Sequence, residues 1–332
     1  MVYNGAGGET KSQMERALGY SGLQLAEINS ANRAARILAD NIDPKVELRI
    51  ANSIWVNKNL TLEPTFLKTN DESYAAEVSS LDFSNPKSPD TVNGWVSQKT
   101  KGRIPSILDQ ISPDAGALLI NAVYFKGVWS EPFAKDATRP SPFHLSSGQT
   151  ADVQMMHRHG SYEFFEREEN KAVKIPFGSN RLSMILILPP AGAPLSEYVS
   201  SLANGGWDSI IGNLHSADVD LALPKFTFSF AASLKSSLAN LGVKDLFVPG
   251  KADLSMMRKA NDLFVQDVIH KTWIQVDEEG AEAAASTDVT VGVTSLPKTV
   301  SFTADRPFVW AIVDSPSGMI LFAGVVQDPR AK

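Results

Sequence analysis

Asp277-Glu278-Glu279-Gly280-Ala281-Glu282-Ala283-Ala284-Ala285-Ser286-Thr287-Asp288-Val289-Thr290-Val291-Gly292-Val293-Thr294-Ser295-Leu296 is the stretch on which the fold turns. Its run Ala281–Ala285 has high intrinsic helix propensity, yet its periodicity is that of a strand. Every second residue from Ala281 (Ala281, Ala283, Ala285, Thr287, Val289, Val291) is small or β-branched, and the interleaved Glu282, Ala284, Ser286, Asp288, Thr290 and Gly292 are mostly polar. A period of two with one buryable face is the pattern of a strand. The tiny side chains at its start would let such a strand slide between two others with little steric demand. Pattern alone also fits an exposed Ala/Ser/Thr linker. What favours the sharper reading is position: a long apolar strand directly precedes the segment, a strand-rich terminus follows it, and a long loop within a compact domain is usually functional.

Working outward, the N-terminal part reads mainly as helices. Glu9–Leu18 and Leu23–Asn41 are expected helices, the second carrying Leu25, Ile28, Ala31, Ala35 and Leu38 at helical spacing. Val46–Asn57 alternates as a strand, Glu63–Glu77 reads as a helix opened by Pro64, and Asp90–Ile107 as a helix with Val92, Trp95, Val96 and Lys99 on one face. From the continuous apolar run Ala117–Phe125 onward the chain turns to strands. These are expected around Ala151–Met156, Glu163–Phe165, Ala172–Pro176, Arg181–Leu188, Val219–Phe230 and Val265–Val276, with helical interruptions at Pro194–Ile211 and Ala231–Leu241. Three more close the chain: Thr299–Phe302, Phe308–Asp314 and Met319–Val325. Helices early and strands late predict an α+β fold rather than a βαβ array.

Composition narrows the chemistry. The chain has 332 residues, 43% hydrophobic and 20% charged, as in a folded globular protein. A net charge of −6 disfavours nucleic-acid partners. No apolar run approaches the roughly 18 residues that span a bilayer, so no membrane partner is expected. The absence of cysteine excludes disulfides, thiolate metal sites and a cysteine nucleophile. No Gly-x-Ser-x-Gly, P-loop or His-Glu-x-x-His pattern occurs. Gly5-Ala6-Gly7-Gly8 lacks both a preceding strand and the glycine spacing of a phosphate loop, and reads as a turn with positive φ. His157-Arg158-His159 has no carboxylate at a useful spacing and reads as a solvated loop. Glu166-Arg167-Glu168-Glu169 reads as a solvated hairpin end. His270 reads as a core histidine with a satisfied hydrogen bond. No catalytic residue, cofactor or metal is expected, and the chain is read as a non-enzyme.

Several motifs resemble the serpin family in order and spacing: Asn4-Gly5-Ala6-Gly7-Gly8-Glu9-Thr10, Asn121-Ala122-Val123-Tyr124-Phe125-Lys126-Gly127-Val128-Trp129, Leu223-Pro224-Lys225-Phe226, Ala252-Asp253-Leu254-Ser255, Phe302-Thr303-Ala304-Asp305-Arg306-Pro307-Phe308 and Leu321-Phe322-Ala323-Gly324-Val325-Val326. The resemblance runs from Val2 to Pro329. It implies one serpin-like domain over residues 1–332, with a large central sheet, further sheets, helices packed around them, and an exposed reactive loop at about 277–298. The family's first helix, a strand and most of its second helix have no counterpart before Val2, so the chain is expected to be N-terminally truncated relative to the family.

The mechanism implied is suicide inhibition of a serine protease. The protease attacks the loop, and the cleaved loop of the metastable fold inserts into the central sheet as an extra strand. By resemblance, Glu278-Glu279-Gly280 is the hinge, followed by the small-residue run Ala281, Glu282, Ala283, Ala284, Ala285 and Ser286. Trp129, Lys225 and Glu278 mark where the sheet first opens, Glu278 pairing with Lys225. Asn121 and His270 match the polar cluster under the sheet's centre. Counted from Gly280 at the family's usual distance, the resemblance implies a reactive bond at Thr294–Ser295, whose small uncharged Thr294 suits an elastase-like or subtilisin-like protease, with Leu296 as the fallback. The expected protein is a monomer acting in the extracellular space, with the cytoplasm as the alternative. Two other readings stay open: a non-inhibitory serpin with a binding or chaperone role, and a cross-class inhibitor of cysteine proteases.

Overall fold

The computed structural model describes residues 1–279 and 299–331. Gly280, Ala281, Glu282, Ala283, Ala284, Ala285, Ser286, Thr294 and Ser295 therefore lie outside the described residues. In chain order the elements are α1 (Gly8–Leu18), α2 (Leu25–Asp40), β1 (Val46–Asn57), α3 (Pro64–Tyr74), β2 (Glu77–Leu81), α4 (Ser88–Lys99), β3 (Ala117–Gly127), β4 (Arg139–His144), β5 (Thr150–Arg167), β6 (Asn170–Pro176), β7 (Leu182–Leu188), α5 (Leu195–Ser201), α6 (Trp207–Ile211), β8 (His215–Pro224), β9 (Phe226–Ser233), α7 (Lys235–Asn240), β10 (Val265–Val276), β11 (Val300–Thr303), β12 (Phe308–Asp314) and β13 (Met319–Val326). They form two compact units, Met1–Asn41, Leu48–Phe125 and Ser229–Trp273 making the first, and Ile42–Glu47, Lys126–Phe228 and Ile274–Lys332 the second.

The first unit is built on a five-stranded sheet of order β2-β1-β3-β10-β9. Strand β3 explains its own composition. Ala117 and Leu119 belong to a core with Val2, Tyr3, Ile28, Phe66 and Leu254, whereas Leu118, Ile120, Ala122 and Tyr124 belong to another with Val92, Trp95, Val96 and Trp273. A strand packed on both faces cannot alternate, hence its continuous apolar run. Helix α4 covers its share of the sheet with Val92, Trp95 and Val96, all buried, and the Trp95 ring meets Trp55 edge-on at 6.1 Å. Lys99, expected on that face, instead pairs with Glu77 at 3.4 Å on the rim.

Two helices stop short of their expected ends. The expected Glu63–Glu77 ends at Tyr74 because Ala75 takes a left-handed conformation, φ 46°, and Glu77 begins strand β2. Asp90–Ile107 ends at Lys99, where Lys101 (φ 52°) and Gly102 (φ 76°) turn the chain away. The expected Ala231–Leu241 helix is confined to Lys235–Asn240, its first residues finishing β9.

The second unit contains an eight-stranded sheet of order β11-β8-β5-β6-β7-β12-β13, with β4 added on β5. One long strand, β5, replaces the two expected at Ala151–Met156 and Glu163–Phe165. It pairs antiparallel with β8 from Met155↔Pro224 to Phe164↔His215, so His157-Arg158-His159 lies in mid-strand and is not a solvated loop. Strand β4, which the sequence reading missed, is an edge strand with Pro140 and Pro142 opposite Gln154 and Asp152. The expected Val219–Phe230 splits at Lys225 into β8 and β9, which serve different sheets. β5 and β6 are joined at Glu168 (φ 50°) and Glu169 (φ 65°), the anticipated hairpin end. One face of the sheet is covered by α5, α6 and the turn Leu202–Gly206 between them, where Leu202 of that turn and Ile210 of α6 pack with Ile185, Ile187, Val309 and Ala311.

Candidate functional site

The residues leading to the expected loop are held from three sides. Trp129 is buried, its ring stacked on Phe177 at 4.4 Å and 11° and meeting Phe133 edge-on at 5.9 Å. A buried indole N–H needs a partner; the Trp129 Nε1–H donates to the Asp277 carbonyl at 2.8 Å. One residue on, the Phe133 N–H donates to the Glu278 carbonyl at 2.9 Å. The Glu278 side chain is 9% exposed and accepts the Lys225 ammonium at 2.7 Å. Lys225 stands at the break between β8 and β9, where Pro224 ends one strand. Burial pushes the Glu278 carboxyl up, but the Lys225 ammonium and its own backbone N–H outweigh that and hold it below the usual carboxylate range. Beyond these, Lys135 pairs with Glu279, and Gln275 donates to Asp277 Oδ2 at 2.7 Å. The run Asp277-Glu278-Glu279 would repel itself; each acid here has its own donor.

Of the sequence-derived site residues, Trp129, Lys225, Glu278 and Glu279 thus come together around the end of β10. Phe133, Phe177 and Lys135 were missed. Their contacts depend on which strands pair, which no local pattern encodes.

Within the first unit, His270 Nδ1–H donates to Asn121 Oδ1 at 2.6 Å, and Asn121 Nδ2 donates to Asn52 Oδ1 at 2.8 Å. Asn52 Nδ2 in turn donates to the Tyr74 carbonyl at 3.3 Å. Burial lowers the His270 imidazole below its ordinary value, so the ring is neutral at pH 7 and one N–H suffices. The chain of amides links strands β10, β3 and β1. Asn52 extends the cluster beyond the two residues read from sequence.

The rejected motifs are placed just as plainly. A Cβ added at Gly7 would lie 2.8 Å from Asp253 Oδ1, and Gly8, at φ 48°, faces the same carboxylate. An anion fills the space a phosphate would need. Among the described residues no group of three His, Cys, Asp or Glu side chains is arranged to hold a metal. No helix among them is long and apolar enough to cross a membrane.

A mixed α+β fold with two sheets, and residues Asp277 and Glu278 held by Trp129, Phe133 and Lys225 at the end of a sheet strand, set the class of protein. The family Serpin (serine protease inhibitor) matches residues 1–329, and the chain belongs to the serpin family. It is similar to the leukocyte elastase inhibitor of Equus caballus, 35% identical over 343 residues covering 99% of this chain and 89% of that protein. It is similar to Serpin B11 of Homo sapiens, 33% identical over 353 residues covering 99% and 90%. Among solved structures, the thermophilic serpin tengpin in its native state superposes with a TM-score of 0.89 at 31% identity, covering 98% of this chain and 84% of that one.

Proposed function

We propose that this chain is a single-use inhibitor of a serine protease rather than an enzyme. Residues 277–298 serve as bait, and after cleavage as the strand that enters the central sheet. The observation that carries this is the hinge: Asp277, Glu278 and Glu279 each have a dedicated partner at the end of β10, immediately before a segment whose alternate residues from Ala281 to Val291 can bury. A strand that must insert needs a fixed starting point and a face free of bulk. Trp129, Lys225 and Glu278 supply the former in this reading, and Ala281, Ala283 and Ala285 the latter. The Asn121–His270 cluster holds the neighbouring strands together until they part.

The reactive bond in this reading is Thr294–Ser295, and a small Thr294 side chain fits a shallow apolar pocket. The similarity to leukocyte elastase inhibitors favours an elastase-like target, with subtilisin-like proteases next. The chain acts as a monomer. Extracellular action has no support among these relatives, and the cytoplasmic alternative stands beside it.

The test is a gel. Mixed with elastase or subtilisin, the chain should form an SDS-resistant complex, and mass spectrometry should place the cut at Thr294–Ser295. Clean cleavage without complex at every ratio would refute inhibition of these proteases, and complex with papain alone would move the target to cysteine proteases. Ala283→Arg puts a charge on the inserting face and should turn inhibitor into substrate; undiminished inhibition would sink the insertion reading.

A further inference from the structure

In the second unit, β8 lies between β5 and β11, antiparallel to the first and parallel to the second. On one face of these strands His159 stands between two aspartates of β8. Its Nδ1 is 2.8 Å from Asp220 Oδ1 and its Nε2 is 3.0 Å from Asp218 Oδ1. The other oxygen of Asp218 accepts the Thr299 hydroxyl at 3.1 Å. Thr299 is the first described residue after 280–298 and leads directly into β11.

A neutral imidazole carries one N–H. It could satisfy one of these carboxylates, and its lone pair would then face the other. Only the imidazolium donates to both. The two carboxylates face different ring nitrogens, so they do not converge on one point as metal ligands would. We propose that His159 is a proton-operated clasp: protonated, it bridges Asp218 and Asp220 and fixes Asp218 as the acceptor for Thr299, fastening the start of β11 to β8; deprotonated, it lets that end loosen.

The surroundings leave this role to His159. From β4, Arg139 faces the same groove, as do His157 and Arg158 of β5, while β11 contributes the uncharged Ser301 and Thr303. Arg158 is engaged with Glu131. Burial first, and then Arg139, hold His157 below the ordinary imidazole range, so His157 stays neutral at pH 7. Lys171 of β6 donates to the Ser301 carbonyl at 3.0 Å and adds a contact to β11 from outside the clasp. Strand β11 has four residues and sits at the sheet edge with β8 as its neighbour. Short edge strands open at low cost, so a modest change in the clasp is visible. The His159 ring is 57% exposed, which keeps the effect to a few-fold.

The experiment is hydrogen exchange by mass spectrometry on peptides covering residues 299–304, between pH 5.5 and 8, each rate divided by that of the unstructured peptide at the same pH. Protection of the unaltered chain should be about fivefold higher at the acid end of that window than at the alkaline end. His159→Gln and Asp220→Asn should each flatten that dependence, and His215→Gln should leave it intact. A flat profile in the unaltered chain, or the same slope in His159→Gln and Asp220→Asn, would overturn the clasp. Inhibition is not read, so failure here and failure of the inhibitor reading are separate results.

Discussion

Replacing Lys225 by methionine keeps much of the stem and removes the ammonium, leaving Glu278 with its carboxylate 9% exposed and no cation. At 2.7 Å, two unit charges attract by about 6 kcal/mol at an effective dielectric of about 20. Withdrawing the carboxylate from water takes back several kcal/mol. Deleting one partner of a fully buried pair typically costs about 3–5 kcal/mol, but the Lys225 side chain is 39% exposed and already screened. The expected loss is about 2 kcal/mol, or roughly a 30-fold change in an equilibrium or rate. The sign with pH follows from Glu278 being held below its ordinary range. Its stabilisation is complete above the unfolded carboxylate value and is lost as pH falls through the native one. Without Lys225 the strongest partner holding the carboxyl down is gone while burial still pushes it up, so acid should weaken this end of β10 less than in the unaltered chain. The assay is the unfolding rate in urea, followed by tryptophan fluorescence at pH 7 and pH 4; a rate is well defined even if refolding leads elsewhere. Trp129, whose indole donates to Asp277, reports from within the site. A change below about twofold at pH 7, or the same acid acceleration in both proteins, would refute this account of the pair.

Other perturbations test the framework. Glu168 and Glu169 both hold left-handed conformations in a two-residue hairpin turn, where Asn-Gly is preferred; Glu168→Asn with Glu169→Gly should stabilise by about 1–2 kcal/mol in thermal unfolding. Asp314 is buried against Arg181 at 2.9 Å and the Ser317 hydroxyl at 2.5 Å. Burial pushes its carboxyl up, but Ser317 and Arg181 hold it below the usual range. Asp314→Asn should therefore cost about 2 kcal/mol near neutral pH, and the gap should close as acid protonates the native residue; a pH-independent gap would contradict this. Asn121→Ala leaves the His270 N–H and the Asn52 carbonyl without their partner and should cost about 1–2 kcal/mol, whereas Asn121→Asp should raise the His270 titration midpoint in NMR.

What could be read from the sequence was whatever is written locally or repeated in the family. Strand β3 was legible because burial on both faces removes alternation, and its sequel at Trp129 carried the resemblance that also led to Lys225 and Glu278. Strand β4 was illegible because two prolines in six residues argue against a strand unless it lies at an edge, and edges are a property of the assembled sheet. The division of Val219–Phe230 at Lys225 was hidden for a related reason: both halves alternate, and only their partners differ. Asn52, Lys135 and the aspartates flanking His159 are unremarkable in sequence. They acquire roles through registers such as His159↔Asp220, which join residues far apart in the chain.

The prolines of β4 have a consequence for behaviour at high concentration. A proline is tolerated in a strand where its missing N–H faces away from the partner, so Pro140 and Pro142 leave the outward side of β4 poor in donors. A strand from another chain would find little there to bond with, and this rim resists growth into fibrils or clumps. Strand β13 has no such guard: Met319-Ile320-Leu321-Phe322-Ala323-Gly324-Val325-Val326 carries neither charge nor proline. An added lysine on its exposed face should help to keep concentrated protein in solution.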